Sequence, residues 1–243
     1  MKVPVQTPGS YLTISLCLTL VICIAGCGGA NFGSEFESRP APTALTTTPA
    51  GTTKLPQDHK FSIHRTTFTN DSGLGGTAEP TASAAADGSA NVSVKVAEGG
   101  QASAVFQLGH AFENKSAHQV DLDVLVRFHF EYAAQSSSAD QPVDGSVGLK
   151  LYARDDRNRL VRNDELIGHP LDKGPTQGSG DREHRFTLTL GPGRSVSVFL
   201  AGQTQAKALP GRAGNCSLTI SGLGMEITTR SAPAPRTASD EQG

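Results

Sequence analysis

A long stretch of two-residue alternation is the feature that most constrains how this chain folds. Over residues 120–132 an apolar residue stands at every second position. Successive side chains on a β-strand point to opposite faces, so this pattern predicts a long strand with one buried face. At a helical period the same groups would be spread around the whole circumference. The apolar members are Val120, Leu122, Val124, Val126, Phe128, Phe130 and Tyr132.

Shorter segments repeat the pattern, and together they predict about eight strands of antiparallel type and no helix of ten residues. The fold class is therefore all-β, an antiparallel two-sheet β-sandwich of jelly-roll or immunoglobulin-like type, with a closed barrel as the alternative. The immunoglobulin variant lacks its usual Trp and paired Cys. The further alternating segments are residues 92–96, 102–108, 147–153, 186–190, 196–200 and 216–227.

Three turns or irregularities follow from local sequence. Gly-Pro-Gly at residues 191–193 predicts a hairpin between the strands on either side of it, and Asp155-Asp156-Arg157-Asn158 predicts another. The apolar positions change parity at Gly222, which predicts a β-bulge.

The amino terminus reads as a targeting signal. Lys2 is followed by an uncharged apolar run over residues 12–25. A helix needs about 20 apolar residues to span a bilayer, and this run is several residues shorter. Residues 1–26 are therefore predicted to be a signal peptide rather than a permanent membrane helix.

The run ends in Ile24-Ala25-Gly26-Cys27, which resembles the lipobox of bacterial lipoproteins. The resemblance covers residues 1–27. It implies cleavage before Cys27, a diacylglycerol on the Cys27 thiol and a further acyl group, such as palmitate, on the new amino terminus. Several acyl chains anchor a protein stably where one does not. The lipid bilayer is then a partner through acylated Cys27, and the protein is extracytoplasmic. Gly28 after the Cys favours an outer membrane or cell surface over an inner membrane.

Composition suggests the organisation of the mature chain. Residues 27–57, which hold the lipidated Cys, are rich in Thr, Pro and Gly and predict a disordered tether, because such a stretch buries too little surface to offset its ordering entropy. Residues 58–230 form the predicted sandwich domain, and residues 231–243 a disordered tail. Cys216 is the remaining thiol of the mature domain and lies in a strand-like run, which predicts a buried, inert side chain.

Charge and motifs exclude several functions. With 21 Lys and Arg against 23 Asp and Glu, the chain lacks the basic surplus of a nucleic-acid binder. The catalytic and nucleotide-binding motifs are missing, and the seven His lack zinc-ligand spacing, so neither an enzyme, a cofactor nor a metal is predicted. Asp121 and Asp123 are spaced like the two catalytic carboxylates of an inverting glycosidase. Catalysis would require different pKa values for the two groups, and a solvated strand face does little to separate them. The carboxylates of Asp155 and Asp156 could also be oxygen ligands for calcium, and this role is an alternative to a purely structural role in the hairpin turn.

Three large apolar residues interrupt strand faces that are otherwise polar: Leu125, Tyr152 and Phe199. Isolated apolar groups of this kind are normally scattered or covered, here by the segment over residues 70–91 or by the loop after Glu165. If the three instead cluster, they form an exposed platform that can stack on sugar rings or anchor a protein. The predicted function is thus a membrane-anchored lipoprotein with a non-catalytic binding or envelope-structural module, whose partner is an envelope polysaccharide or protein. The alternative is a hydrolase or accessory subunit of an envelope carbohydrate-active system.

Overall fold

Strands account for the regular structure of the domain, as the alternation predicts. The computed structural model describes residues 42–45, 51–55, 60–73, 75–137, 143–170 and 176–231. Twelve strands lie within these ranges: β1 Thr43–Leu45, β2 Thr52–Leu55, β3 Ile63–Asp71, β4 Thr77–Ala84, β5 Ala90–Ala97, β6 Gln101–Asn114, β7 Val120–Ser136, β8 Asp144–Asp155, β9 Leu160–Pro170, β10 Thr176–Leu190, β11 Ser195–Lys207 and β12 Ala213–Ser231.

The strands form two sheets. In the first sheet the order is β1-β6-β11-β8-β9, and β3 also pairs with β6. In the second sheet the order is β10-β7-β12-β5-β4, and β2 also pairs with β12. All of these pairs are antiparallel except β1 with β6. The fold is a β-sandwich, as predicted.

The core lies between the sheets and is built from the alternating positions. On β7 the side chain of Val126 is fully buried, whereas that of the neighbouring Arg127 is exposed. Phe106 of β6 and Leu200 of β11 join Val126 in one hydrophobic cluster. The long strand predicted from the alternation is therefore confirmed, and it continues to Ser136.

The Gly-Pro-Gly turn does not make the predicted hairpin. β10 pairs with β7 in the second sheet, whereas β11 pairs with β6 and β8 in the first, so this turn carries the chain from one sheet to the other. The buried side chain of Asn114 holds the crossing in place by donating to the carbonyl oxygens of Leu190 and His118, at 2.9 and 2.8 Å. A tight turn serves a hairpin and a crossing equally well, and only the strand partners distinguish them.

The other two local predictions are confirmed. β8 and β9 form an antiparallel hairpin around Asp155-Asp156-Arg157-Asn158. The pairing of β12 with β7 shifts register between Ser221 and Gly224, and Gly222 has a φ of 62°. Because of this bulge Ile220 and Leu223 are both buried although they differ in parity.

The predicted tether contains two strands, so the boundary at residue 58 is wrong. β1 pairs with the end of β6, and β2 pairs with Met225–Thr228 of β12. Each strand ends in a buried leucine, Leu45 and Leu55. The composition of the whole segment is polar, but one apolar residue per strand is enough to attach it to the sandwich.

Several predictions fall outside the described residues. These are the signal peptide over residues 1–26, the lipobox with Cys27, and the tail beyond Ser231. Within the described part of the chain, no helix is long and apolar enough to span a membrane.

Candidate functional site

The first sheet carries a buried layer on the face that points away from the core. Its members are only 2–6 % exposed, yet none belongs to the hydrophobic cluster between the sheets. The outer face of an ordinary sandwich sheet is polar and solvated, so burial of mostly apolar side chains on this face means that other groups of the same chain cover them. We call this set the outer-face patch: Ile63, Val105, Gln107, Ala111, Tyr152, Phe199 and Ala201.

Two aromatic rings lie at the centre of the outer-face patch. Phe199 of β11 is directly opposite Tyr152 of β8, and their rings stack with centroids 5.5 Å apart and planes 24° apart. On its other side Phe199 faces Gly109 of β6, where a Cβ atom would lie 2.5 Å from the Phe199 Cα. Glycine at this position therefore lets the Phe199 backbone and β-carbon pack closely against β6.

The structure joins two of the three predicted platform residues and separates the third. Leu125 lies on β7 of the second sheet and lines a groove of about 330 Å³ with Asp123, Arg127 and Glu226. It does not share a surface with Tyr152 and Phe199.

All three residues are covered, which agrees with the reading that they are scattered or covered rather than an exposed platform. Leu125, Tyr152 and Phe199 are 8, 6 and 4 % exposed. The alternation of a strand identifies the face on which a residue lies, but not how much solvent reaches that face.

Polar side chains border the aromatic pair. Lys150 and Arg154 lie two residues before and after Tyr152 on β8, and therefore on the same face. On β9, exposed Asn163 is opposite Tyr152 and Glu165 is opposite Lys150, with 3.8 Å between the Lys150 and Glu165 charged atoms. The patch thus has an apolar floor and a more accessible polar rim.

Tyr152 titrates above its usual range. Burial raises the pKa of the Tyr152 phenol, and the positive charge of Arg154 opposes that rise. The Arg154 guanidinium carbon lies 5.8 Å from the centre of the Tyr152 ring. The phenol is therefore neutral at physiological pH.

The sequence reasoning missed the part of the outer-face patch contributed by β3 and β6. On β6 every residue from Ala104 to Phe112 is buried, so both faces of this strand are covered. A nearly continuous apolar run, here Val-Phe-Gln-Leu-Gly-His-Ala-Phe over residues 105–112, is the signal of such a strand. β3 offers no such signal, because its exposed positions include Phe68.

The predicted carboxylate pair lies on the second sheet, and both groups have partners. Asp121 accepts a hydrogen bond from the Thr189 hydroxyl at 2.8 Å, and Asp123 forms an ion pair with Arg230. Farther along the same face, Arg127 bridges Glu183 and Glu226, at 2.9 and 3.3 Å. This face is a network of paired charges, in contrast to the outer-face patch.

The carboxylates considered for calcium serve the hairpin turn. One oxygen of Asp155 accepts from the backbone N–H groups of Arg157 and Arg159, at 2.9 and 2.8 Å, and the other from the Arg159 side chain at 2.7 Å. Burial works against ionisation of Asp155, but these hydrogen bonds outweigh it and lower the pKa. Asp156 pairs with Arg194.

The described residues offer neither a cluster of metal ligands nor a reactive thiol. Among the described residues no group of three or more His, Cys, Asp or Glu is placed to hold a metal ion. Cys216 is 1 % exposed, and burial raises the pKa of its thiol to about 12. The prediction of a buried Cys216 is confirmed, and such a thiol is a poor nucleophile.

Comparisons with known proteins find distant likeness in solved structures only. No family model and no curated protein matches the chain. A carbohydrate-binding module studied for the promiscuous specificity of the β-sandwich superfamily aligns at 10 % identity and a TM-score of 0.29, covering 74 % of this chain and 63 % of that one.

Two further structures align in the same range. The CBM22-1 xylan-binding domain from Paenibacillus barcinonensis Xyn10C aligns at 10 % identity and a TM-score of 0.22, covering 77 % of this chain and 100 % of that one. The enzymatically active domain of bacteriophage CBA120 tailspike protein 4 aligns at 13 % identity and a TM-score of 0.27, and the alignment covers 70 % of this chain and 20 % of that one. TM-scores this low carry no argument about function.

Proposed function

We propose that this protein is a lipid-anchored, extracytoplasmic lipoprotein whose β-sandwich is a non-catalytic glycan-binding module. The observation that carries the binding function is the stacked Tyr152–Phe199 pair on the outer face of the first sheet. The signal-like residues 1–26 and the lipobox before Cys27 support the anchor.

The chemistry of the outer-face patch suits a sugar. Aromatic side chains offer a large apolar surface, against which the C–H groups of a sugar ring can pack. Because Tyr152 and Phe199 are 6 and 4 % exposed, a sugar reaches them only when the groups that cover them move aside. Carbohydrate hydroxyls need hydrogen-bond partners beside that surface, and Lys150, Asn163, Glu165 and Gln203 stand in the accessible rim. An apolar floor with a few convergent polar groups is the usual composition of a small-ligand site.

Binding without hydrolysis is supported by the engagement of the acidic groups. Asp121 and Asp123 are held by Thr189 and Arg230 on the opposite sheet. On the patch itself, Glu165 is paired with Lys150. We therefore expect no new reducing ends when the protein is incubated with a polysaccharide that it binds.

The binding function is tested with the full chain in detergent, titrated with soluble polysaccharides. Phe199→Leu removes the aromatic ring and keeps an apolar side chain of similar size, so the fold should tolerate it. We expect about tenfold weaker binding, equivalent to about 1.4 kcal/mol. Leu125→Ala, on the other sheet, is the control and should bind as the parent does. Unchanged affinity in a folded Phe199→Leu protein rejects this site.

The anchor is tested by mass spectrometry of the native amino terminus. We expect the first residue of the mature protein to be Cys27 carrying acyl groups, because the lipobox directs cleavage and lipidation there. A Cys27→Ser variant should be released from membranes. An unmodified terminus at another residue would contradict the proposal.

A further inference from the structure

We propose that the tip of the β8–β9 hairpin, residues 156–161, contacts the anionic surface of the bilayer that holds the lipid anchor. This inference rests on the proposed anchor and adds a second, non-covalent contact between the domain and the membrane. It is carried by exposed aliphatic side chains, by a local surplus of arginine and by the position of the hairpin in the first sheet.

Two neighbouring aliphatic side chains at the hairpin tip are open to solvent. Leu160 and Val161 are 53 and 54 % exposed, and they are two of the four large apolar residues exposed in the described part of the chain. The β8–β9 pairing shifts register between Ala153 and Arg154, so Val161 is an extra residue on β9 with no partner on β8. A bulge redirects side chains, and this one leaves neither neighbour buried. Single exposed apolar residues are ordinary, but a contiguous pair is a candidate contact.

Arginines surround the aliphatic pair. Residues 154–162 hold four Arg and two Asp, a surplus of two positive charges in a chain whose formal net charge is −2. Both aspartates are already paired with arginines. Arg157 is exposed on the turn, and the Arg159 side chain stays 66 % exposed in spite of its ion pair. Guanidinium groups bind phosphate oxygens, and aliphatic side chains next to them can enter the headgroup region of a bilayer.

The hairpin lies at the end of the first sheet where β1 joins it. One row of Cα partners crosses this end of the sheet: Thr43 with Phe112, Phe112 with Val196, and Val196 with Asp155. Thr43 and Asp155 are thus three strands apart, a distance of about 14 Å. A flexible chain as long as residues 28–42 spans about 20 Å. The acylated terminus and the hairpin tip can therefore reach the same surface.

The opposite end of β11 supplies a control within the molecule. Leu209 follows the carboxyl end of this strand and is 52 % exposed, as Leu160 is, whereas the hairpin tip lies beside the first residues of the strand. β11 has 13 residues, which at about 3.3 Å each place its two ends about 40 Å apart. A domain that rests on the hairpin tip keeps Leu209 away from the bilayer.

Trp fluorescence tests this orientation, because the chain contains no Trp of its own. Leu160→Trp and Leu209→Trp are each purified in the lipidated form and reconstituted into vesicles of phosphatidylethanolamine and phosphatidylglycerol, with or without brominated acyl chains that quench Trp on contact. We expect blue-shifted, quenched emission from Leu160→Trp, since an interfacial side chain lies about 5–10 Å into the headgroup and acyl boundary. Leu209→Trp should emit as in water and stay unquenched. Val161→Trp replaces Leu160→Trp if the latter fails to fold.

The contribution of charge is tested in the Leu160→Trp protein. Arg157→Gln should lower the ratio of bound to unbound hairpin about fivefold, because an anionic surface attracts each nearby cation. Lys207→Gln removes the same charge at the far end of β11 and should leave the ratio unchanged. Replacing phosphatidylglycerol with phosphatidylcholine should also reduce the quenching.

Flotation with the vesicles separates this inference from the proposed anchor. If the protein floats but Leu160→Trp is quenched no more than Leu209→Trp, the hairpin contact is overturned and the anchor stands. Blue-shifted emission without quenching by brominated lipid shows that protein, such as a second copy, covers the tip, and this also overturns the contact. Equal effects of Arg157→Gln and Lys207→Gln overturn the role of the arginines. If the lipidated protein does not float, the anchor fails and the hairpin contact fails with it.

Discussion

His110 shows how a single polar residue can be built into an apolar strand. It is 5 % exposed on β6 and packs against the ring of Phe112, with centroids 5.2 Å apart. Its Nδ1 accepts from the backbone N–H of Ser62 at 3.1 Å, which leaves Nε2–H to donate to the Thr43 hydroxyl at 2.5 Å. Both ring nitrogens are thus satisfied in the neutral form.

This arrangement predicts a pH dependence. Burial lowers the pKa of His110 in the folded protein below its unfolded value of about 6.5. A depressed folded-state pKa contributes stability above the unfolded pKa, and that stability is lost as the pH falls toward the folded pKa. We expect the free energy of unfolding, measured by denaturant titration, to decrease below about pH 6.5.

His110→Gln is the test of that assignment, because it cannot titrate. The variant should be less stable overall but should show a flatter dependence between about pH 5 and 6.5. His129 acts in the opposite sense, since its hydrogen bond to Asp181 raises its pKa and its contribution is lost as the pH rises through that value. An identical pH slope in the parent and in His110→Gln would exclude His110 as the origin.

At the scale of elements, the bulge in β12 lets one strand serve two parts of the second sheet. Before it, residues 213–220 of β12 pair with β5; beyond it, Met225–Thr228 pair with β2. β7 pairs with β12 on both sides of the bulge. The extra residue keeps Cys216 and Met225 pointing into the core although their parity differs.

A pair of glycine variants tests the bulge. Gly222 has a φ of 62° and open space around its Cα, so Gly222→Ala should destabilise only through backbone strain, by about 1–2 kcal/mol. Gly224 is outside the positive-φ region, and a Cβ there would make ordinary contact with the Leu55 carbonyl oxygen at 3.7 Å. We expect Gly222→Ala to lower the melting temperature and Gly224→Ala to leave it nearly unchanged. Equal melting temperatures would show that the strand does not need the left-handed conformation.

At the scale of the whole molecule, the chain crosses repeatedly between the two sheets. From β5 to β12 every connection crosses except the β8–β9 hairpin. The sheets are therefore joined by covalent crossings as well as by the core. β1 and β2 extend this pattern, since β1 adds to the first sheet and β2 to the second.

The contribution of the amino-terminal strands can be measured with one buried and one exposed variant. Leu55 is 5 % exposed, so Leu55→Ala should destabilise the domain by about 2 kcal/mol or more. The neighbouring Lys54 side chain is 77 % exposed, and Lys54→Ala should cost little despite its ion pair with Glu226. Thermal unfolding of the full chain distinguishes the two. If residues 27–57 were only a tether, both variants would melt like the parent.

Local pattern determined the strands, because the direction of a side chain on a strand depends only on the backbone at that residue. The alternation over residues 120–132 predicted β7 and its buried face, and the parity change at Gly222 predicted the bulge. The turn chemistry at Asp155 predicted the β8–β9 hairpin. Each of these follows from a few neighbouring residues.

Contacts between distant residues decided the rest. Whether the turn after Leu190 makes a hairpin or a crossing depends on β7 and β6, which are far away in the chain. The meeting of Tyr152 with Phe199 and the separation of Leu125 from them both depend on strand order and register. Alternation is a property of one strand, whereas a site on a sheet is made by several, so only the tertiary structure could assemble it.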